Sequence, residues 1–331
     1  MTKFSKAFGL AIAVATIALE NRVIAAAPAK TLTAEDKEYA WYTNIESEAK
    51  AGRAGPEVPG LIAGLDGPDL KKRVIYAQLL YVVGPNAASA VPSLIRHVDD
   101  SDFWLRLRSI EALGGIGPDA SAAVPALTLA VNDPDYPIAN MAAWSLGQIG
   151  PAAVDAVPNL QASILHRPKN SDYYAMVVAT SRVALAKITG KKGIQIVGLV
   201  ALLREKDDPE NTSYPALEAT RALQELMPES KLAGPHLCRL LLDRRANPDE
   251  RAEAANTLGH FNDLLAEPAL VEAAQAGSDL VVRGAAIGAL KSIKGVTANI
   301  AKLQAKLDVD WLKAQKSKTW YSWCASIFES K

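Results

Sequence analysis

The stretch VPSLIRHVDDSDFWLRLRSIEALGGIGPDASAA, residues 91–123, decides the fold. Val91, Leu94, Ile95 and Val98 have the spacing of one helical face. Asp99, Asp100, Ser101 and Asp102 interrupt that helix with turn chemistry. Asp102 is placed to cap a second helix by accepting from its free first-turn amides. In that second helix Leu105, Ser109, Ala112, Leu113 and Ile116 form one buried stripe. Gly117 is expected to end it in the left-handed conformation, and Pro118 to begin the next segment where no amide hydrogen is needed. Pro92 lies in the helical stretch that follows Gly84-Pro85, which predicts a kink or a fresh helix start there.

Outward from this stretch, the pattern recurs. Val58-Pro59, Val91-Pro92, Val124-Pro125 and Val157-Pro158 stand 33 residues apart, and Gly84-Pro85, Gly117-Pro118 and Gly150-Pro151 keep the same interval. Two markers locked to one period of this size mean a solenoid of stacked helix pairs. A column of arginines follows the repeat: Arg73, Arg106, Arg251 and Arg283, interrupted by Ala139. These are expected to be structural, each pairing with turn carboxylates or carbonyls while its stem covers apolar surface. A cap column runs Asp69, Asp102, Asp135, Asn247 and Asp279. The expected fold is all-α, a right-handed α-α superhelix of about seven helix pairs with terminal capping helices. The expected division is a signal peptide at 1–27, a capping helix and linker at 28–57, an array at 58–298 and C-terminal capping helices at 299–331. The repeats within the array are 58–90, 91–123, 124–156, 157–195, 196–233, 234–266 and 267–298. Extra residues in the fourth, from His166 to Ser171, are expected to form a loop on one face.

Helix pairs carrying Val-Pro, Asp-x-Asp, Arg and Ala-Leu-Gly-x-Ile-Gly-Pro in this order resemble HEAT repeats, in the group named after phycobilisome lyases. Asp133-Pro134-Asp135 followed by Trp144 to Pro151 is the best-matching segment. The resemblance covers 58–156 closely and 157–298 more loosely. It implies that the second helix of each pair lines a concave side. It also implies one enzymatic reading, the handling of a linear tetrapyrrole, although lyases of that kind work on phycobiliproteins inside the cytoplasm or plastid.

The chain has 331 residues, with Lys+Arg and Asp+Glu both at 36. Balanced charge leaves no global field for nucleic acid or anionic lipid, so no nucleic-acid partner is expected. Lys3 and Lys6 precede the apolar run Ala7 to Leu19, and small residues at Val23-Ile24-Ala25 and Ala25-Ala26-Ala27 offer cleavage sites. The protein is therefore expected to be exported, periplasmic or extracellular, with no integral membrane span after signal removal. Cleavage leaves 33 basic and 35 acidic residues. Two cysteines, Cys238 and Cys324, read either as one bridge or as two separate small hydrophobes.

Catalytic chemistry is thin. His97, His166, His236 and His260 show no His-x-x-x-His spacing, and none is followed by Glu as in the metal-binding HEAT hydroxylases. Cys-x-x-Cys and Gly-x-Ser-x-Gly are absent. Gly114-Gly115-Ile116-Gly117 ends a helix and cannot cradle a phosphate as a strand-to-helix loop would. No catalytic, cofactor-binding or metal-ligating residue is expected.

Aromatic residues, however, cluster at the starts of the second helices in repeats two to five: Phe103 and Trp104, Tyr136, Tyr173 and Tyr174, and Tyr214. Positions 104, 108, 111 and 115 lie opposite the buried stripe, and Trp144 takes the place of Glu111 one repeat on. Two readings stand open. The aromatics grip an extended peptide or a sugar chain, or they pack against neighbouring helix ends. Thr33 with Asp36, and the stripe Trp320, Trp323, Cys324, Ile327 and Phe328, read as terminal caps. Residues 308–331 alternatively dock on a partner or a second copy. The functional expectation is a non-enzymatic scaffold binding a protein or extended peptide on its concave surface. The rivals are a structural subunit of an envelope-associated complex, docking through its C-terminal helix, and a lyase-like factor.

Overall fold

A computed structural model of the chain describes residues 43–45, 47–48, 51, 54–166, 173–205, 214–275 and 279–311. The expected signal peptide, most of the N-terminal cap and the stripe from Trp320 to Phe328 lie outside the described residues. The chain divides into two units, Met1–Ser47 and Glu48–Lys331. In the first, 43–45 are helical and Ile45 is buried.

The second unit is a run of helix pairs. They are α1 (Val58–Leu65) with α2 (Leu70–Val83), α3 (Val91–Arg96) with α4 (Phe103–Ile116), and α5 (Val124–Ala130) with α6 (Tyr136–Ile149). Next come α7 (Val157–His166) with α8 (Tyr174–Thr189), and α9 (Lys192–Leu202) with α10 (Pro215–Glu225). The last two pairs are α11 (Gly234–Leu242) with α12 (Pro248–Phe261), and α13 (Glu267–Ala273) with α14 (Leu280–Ser292). A further helix, α15, occupies 300–311. No strand occurs among the described residues. The expected boundary between residues 195 and 196 falls inside α9, because α8 ends at Thr189 and α9 begins almost at once, at Lys192.

The stripe of the template is buried as a unit: Leu105, Ser109, Ala112, Leu113 and Ile116, joined by Ile110 and Gly114. The two additions follow from stacking, since a helix inside an array is covered by a neighbour on each flank. The continuous run Leu70–Arg96 is long and apolar enough by composition to cross a membrane. Its Leu79, Leu80, Val83 and Leu94 are instead fully or nearly fully buried in the repeat core.

Gly-Pro punctuation works differently from the simple helix stop expected. Gly117 has φ 76° and ψ −135°, and Gly84 and Gly150 match it. This is positive φ but not the left-handed helical region, and a side chain would be strained there. Each glycine opens a 3₁₀ segment, Gly84–Ala90, Gly117–Ala123 and Gly150–Ala156. Each segment delivers a new α-helix with Pro in its first turn, at Pro92, Pro125 and Pro158.

Asp69, Asp102, Asn247 and Asp279 cap their helices through the side chain, Asp102 Oδ1 accepting from the Leu105 amide at 2.8 Å. Asp135 does not cap α6. Its carboxylate accepts from Arg106 at 3.0 Å instead, the stronger bond because both partners are charged.

Arg73, Arg106 and Arg283 each reach the next element of the array, while Arg251 bonds within its own pair. Arg73 donates to the Leu65 carbonyl of its own pair and to Asp100 of the next, both at 3.1 Å. Arg106 donates to the Asp100 carbonyl at 2.8 Å besides Asp135. Arg251 donates to the Leu241 carbonyl at 2.9 Å. Arg283, nearly fully buried, donates to the Ala274 carbonyl at 3.3 Å and to Asp310 at 2.7 Å. At the first joint His97 lies among Arg73, Asp100 and Asp66, and Asp66 also accepts from Arg96 and Ser93.

The second helices α2 to α14 pack side by side in unbroken succession, whereas the first helices touch mainly their own partners. The second helices therefore form one continuous layer, the one expected to lie on the concave side.

Candidate binding site on the inner face

The layer of second helices carries an open cavity of about 270 Å³, lined by residues of α2, α4, α6, α8 and α10. At its centre Tyr81 from α2 and Trp144 from α6 meet across α4, ring centroids 6.4 Å apart and planes at 59°. They can meet because α4 presents Gly114-Gly115 between them. A Cβ on Gly114 would collide with Trp144, and one on Gly115 would stand 2.7 Å from the Tyr81 ring. Helix-interior glycine costs about 1 kcal/mol relative to alanine, so two in succession are unfavourable for the helix alone. Here they make the bed for two aromatic rings.

Two ion pairs flank the rings. Arg108 donates to Glu111 at 2.6 Å, and Lys187 of α8 donates to Glu225 of α10 at 3.0 Å. Asn140 lines the same cavity. Its side-chain oxygen is buried and has no hydrogen-bond partner among the described residues. A buried acceptor without a partner costs on the order of 1–3 kcal/mol.

The aromatic residues singled out from sequence divide into several environments. Trp104 is 40% exposed, in edge contact with Phe103 at 5.1 Å, with the Arg108 guanidinium 6.0 Å from its ring centre. Tyr136 and Tyr173 stack on each other at 3.5 Å. Tyr214 is 43% exposed. All stand at helix starts and so form a rim, with Trp144 apart from them in the cavity. Tyr174 leaves the binding group altogether: at 7% exposed it belongs to the core with Val178, Ile196 and Leu199. Tyr173 is the N-cap residue, in the left-handed conformation at φ 59°, whereas Tyr174 is the first residue of α8, so the two side chains leave the chain in different directions.

Tyr81, Asn140 and Met141 were not among the residues singled out from sequence. A signal for Tyr81 was present: it shares a column with Gly114 and Gly147, large in one repeat and absent in the next two. Such size alternation lets a ring from one repeat lie on the backbone of its neighbour. Asn140 carried no signal, because its significance is a missing partner.

Among the described residues no group of His, Cys, Asp and Glu converges as a metal site. Cys238 is partly buried, and burial, with Asp263 nearby, pushes its thiol up. Cys324 lies outside the described residues.

A family model of HEAT repeats matches residues 91–179 and 234–315. Among solved structures the chain is similar to the complex of CpcE and CpcF of phycocyanin lyase from Nostoc sp. PCC7120, at 22% identity and a TM-score of 0.45, covering 75% of this chain and 92% of that one. It is similar to an engineered protein at 20% identity and a TM-score of 0.41, covering 84% and 80%. It is also similar to human deoxyhypusine hydroxylase in complex with glycerol at 20% identity and a TM-score of 0.32, covering 72% and 96%. No curated protein matches the sequence.

Proposed function

The chain belongs to the HEAT-repeat family, and on that premise we propose that it is a non-enzymatic scaffold that binds a protein partner by holding an extended peptide along its concave face. The observation that carries this reading is the Tyr81–Trp144 pair seated on Gly114-Gly115 beside an open cavity. Aromatic rings at the centre of a shallow groove are where binding energy concentrates. Phe103, Trp104, Tyr136, Tyr173 and Tyr214 extend the contact surface along the rim.

Replacing Trp104 and Trp144 together by Ala is the test. Partner binding should weaken by at least about 2 kcal/mol, with a smaller loss of stability than a core Trp would cause. Unchanged affinity would remove this reading. Export of the protein is part of the proposal and rests on Lys3, Lys6 and Ala7 to Leu19. N-terminal sequencing of secreted material should begin near Ala26 or Pro28. Intact Met1 in a soluble cytoplasmic pool would reject it.

One observation favours a second reading, docking of the C-terminal end into a larger assembly. Leu280, Gly284, Leu307, Asp308 and Trp311 line an open, largely apolar cleft of about 530 Å³, with Trp311 half exposed. Sedimentation of the full chain distinguishes the two. Self-association abolished by Trp311→Ala favours docking, and a monomer that binds peptide favours the groove.

A further inference from the structure

Each of α4, α6, α8, α10 and α12 packs against a second helix on both flanks, whereas among the described residues α14 has only α12. Leu280 and Gly284 of α14 instead open onto a largely apolar cleft of about 530 Å³, completed by Leu307, Asp308 and Trp311 of α15. α15 stands where the first helix of an eighth pair would stand. Arg283 reaches its Asp310 at 2.7 Å, as Arg73 reaches Asp100 and Arg106 reaches Asp135 one repeat on. The chain beyond Trp311 lies outside the described residues, and its sequence has the marks of the missing partner. No charge occurs from Thr319 to Phe328, and Trp320, Trp323, Cys324, Ile327 and Phe328 share one helical face. Eight residues, 312–319, come before that stripe, and helix–helix connections run to roughly 2–8 residues. The starts of successive second helices are 32–41 residues apart, and Trp320 follows Leu280 by 40. Residues 320–331 make a helix of about 18 Å at the α-helical rise, close to the length of α14.

We propose that residues 312–331 fold back as the second helix of an eighth pair and lay Trp320, Trp323 and Ile327 into the cleft between α14 and α15. The cleft volume equals roughly eighteen waters at bulk density, room for two large side chains. Trp311, half exposed at the edge of the cleft, is joined directly to the segment. That tether presents the stripe at an effective concentration on the order of millimolar, against which a second copy or a dilute partner competes poorly. Left apart, the end of the array and the stripe would each expose apolar surface, which the last repeat of a solenoid has to cover. The inference does not depend on the inner-face groove. It fills from within the chain the same cleft that the second reading assigns to a larger assembly.

The test places photoreactive benzoylphenylalanine at position 280 of the full chain, prepared in light and heavy isotope forms that are mixed before irradiation. Mass spectrometry identifies the captured peptide and shows whether both ends belong to one chain. Crosslinks should join position 280 to residues 320–331 within a single chain. Their yield should fall at least about tenfold when Trp320→Ala and Trp323→Ala are combined, the scale of losing two anchoring aromatics. A second measurement needs no probe in the cleft. Amide exchange in α14 should be slower in the parent chain than in the Trp320→Ala, Trp323→Ala variant, while α4 and α6 exchange alike in both and so show that the array is still folded. Mixed light and heavy products mean that a second copy fills the cleft, and they overturn the proposal. Products that leave out residues 312–331, or equal α14 exchange in the two chains, overturn it as well. None of these outcomes bears on Trp104 and Trp144, so the groove reading stands or falls on its own test.

Discussion

Gly114 shows how a residue that weakens its own helix gains a role from its neighbour. In an exposed helix, Gly→Ala normally stabilises by up to about 1 kcal/mol. Gly288 in α14 has open space where a Cβ would stand, and Gly288→Ala should follow that rule. Gly114→Ala should do the opposite, because its Cβ would enter the Trp144 ring and the nearby Ser145 hydroxyl. Chemical denaturation of the two variants gives the signs; the same sign for both would mean that Trp144 is not seated as described. Asp100 is a second instance. The Asp102 amide donating to it, with His97 and Arg73 beside it, outweighs burial and holds its carboxyl below the usual carboxylate range. A depressed value in the folded state adds stability above the unfolded value of about 3.9, and that stability is lost as pH falls through the folded value. Urea midpoints should therefore fall between pH 5 and pH 3 in the parent chain, and less steeply in Asp100→Asn. Equal slopes would show that the first joint does not depend on this carboxylate.

At the scale of the element, the 3₁₀ segments explain why the Val-Pro and Gly-Pro markers keep a rigid interval. Gly117 turns the chain at φ 76° and ψ −135°, the 3₁₀ segment runs to Ala123, and Pro125 enters the next helix in its first turn. Shortening or lengthening this connector would move the following pair out of register with the arginine column. Gly117→Ala should cost about 1–3 kcal/mol from backbone strain alone, since its nearest neighbour, the Gln148 carbonyl, is 3.8 Å from where a Cβ would lie. Calorimetry of that variant separates strain from crowding: a melting point equal to the parent's would show that the connector tolerates a side chain. The markers were legible because four Val-Pro pairs and three Gly-Pro pairs repeat at one interval. The geometry was not, since Gly-Pro after a helix suits several turns, and only packing against the following repeat selects one.

Across the whole molecule each repeat touches mainly its neighbours, so damage should stay local. The C-terminal joint is suited to test this. Arg283 is buried with its NH2 unpaired, and its NH1 meets Asp310 at 2.7 Å. Asp310→Ala would leave a buried cation without that carboxylate, a loss of about 3 kcal/mol. Hydrogen exchange should show protection falling in α13, α14 and α15, while α4 and α6 keep theirs. A uniform loss along the array would mean that the solenoid unfolds as one cooperative body.

The period, the helix pairs and the caps at Asp69, Asp102, Asn247 and Asp279 were determined by the sequence alone, because each depends on residues close along the chain. The arginine column was readable for the same reason, with one exception. Asp135 had two possible partners, its own helix start and Arg106, and only the stacking of repeats two and three decided between them. The inner-face site depended on tertiary structure almost entirely. Tyr81, Gly114, Asn140 and Trp144 come from three repeats. A ring's position over a neighbour's backbone, or an oxygen's lack of a donor, is a property of the stacked helices and of no single stretch of chain. Tyr173 and Tyr174 show this in the smallest space: adjacent in sequence and alike in chemistry, one stacks on Tyr136 and the other joins the core. The left-handed backbone of Tyr173, just before α8 begins at Tyr174, decided which ring faces outward.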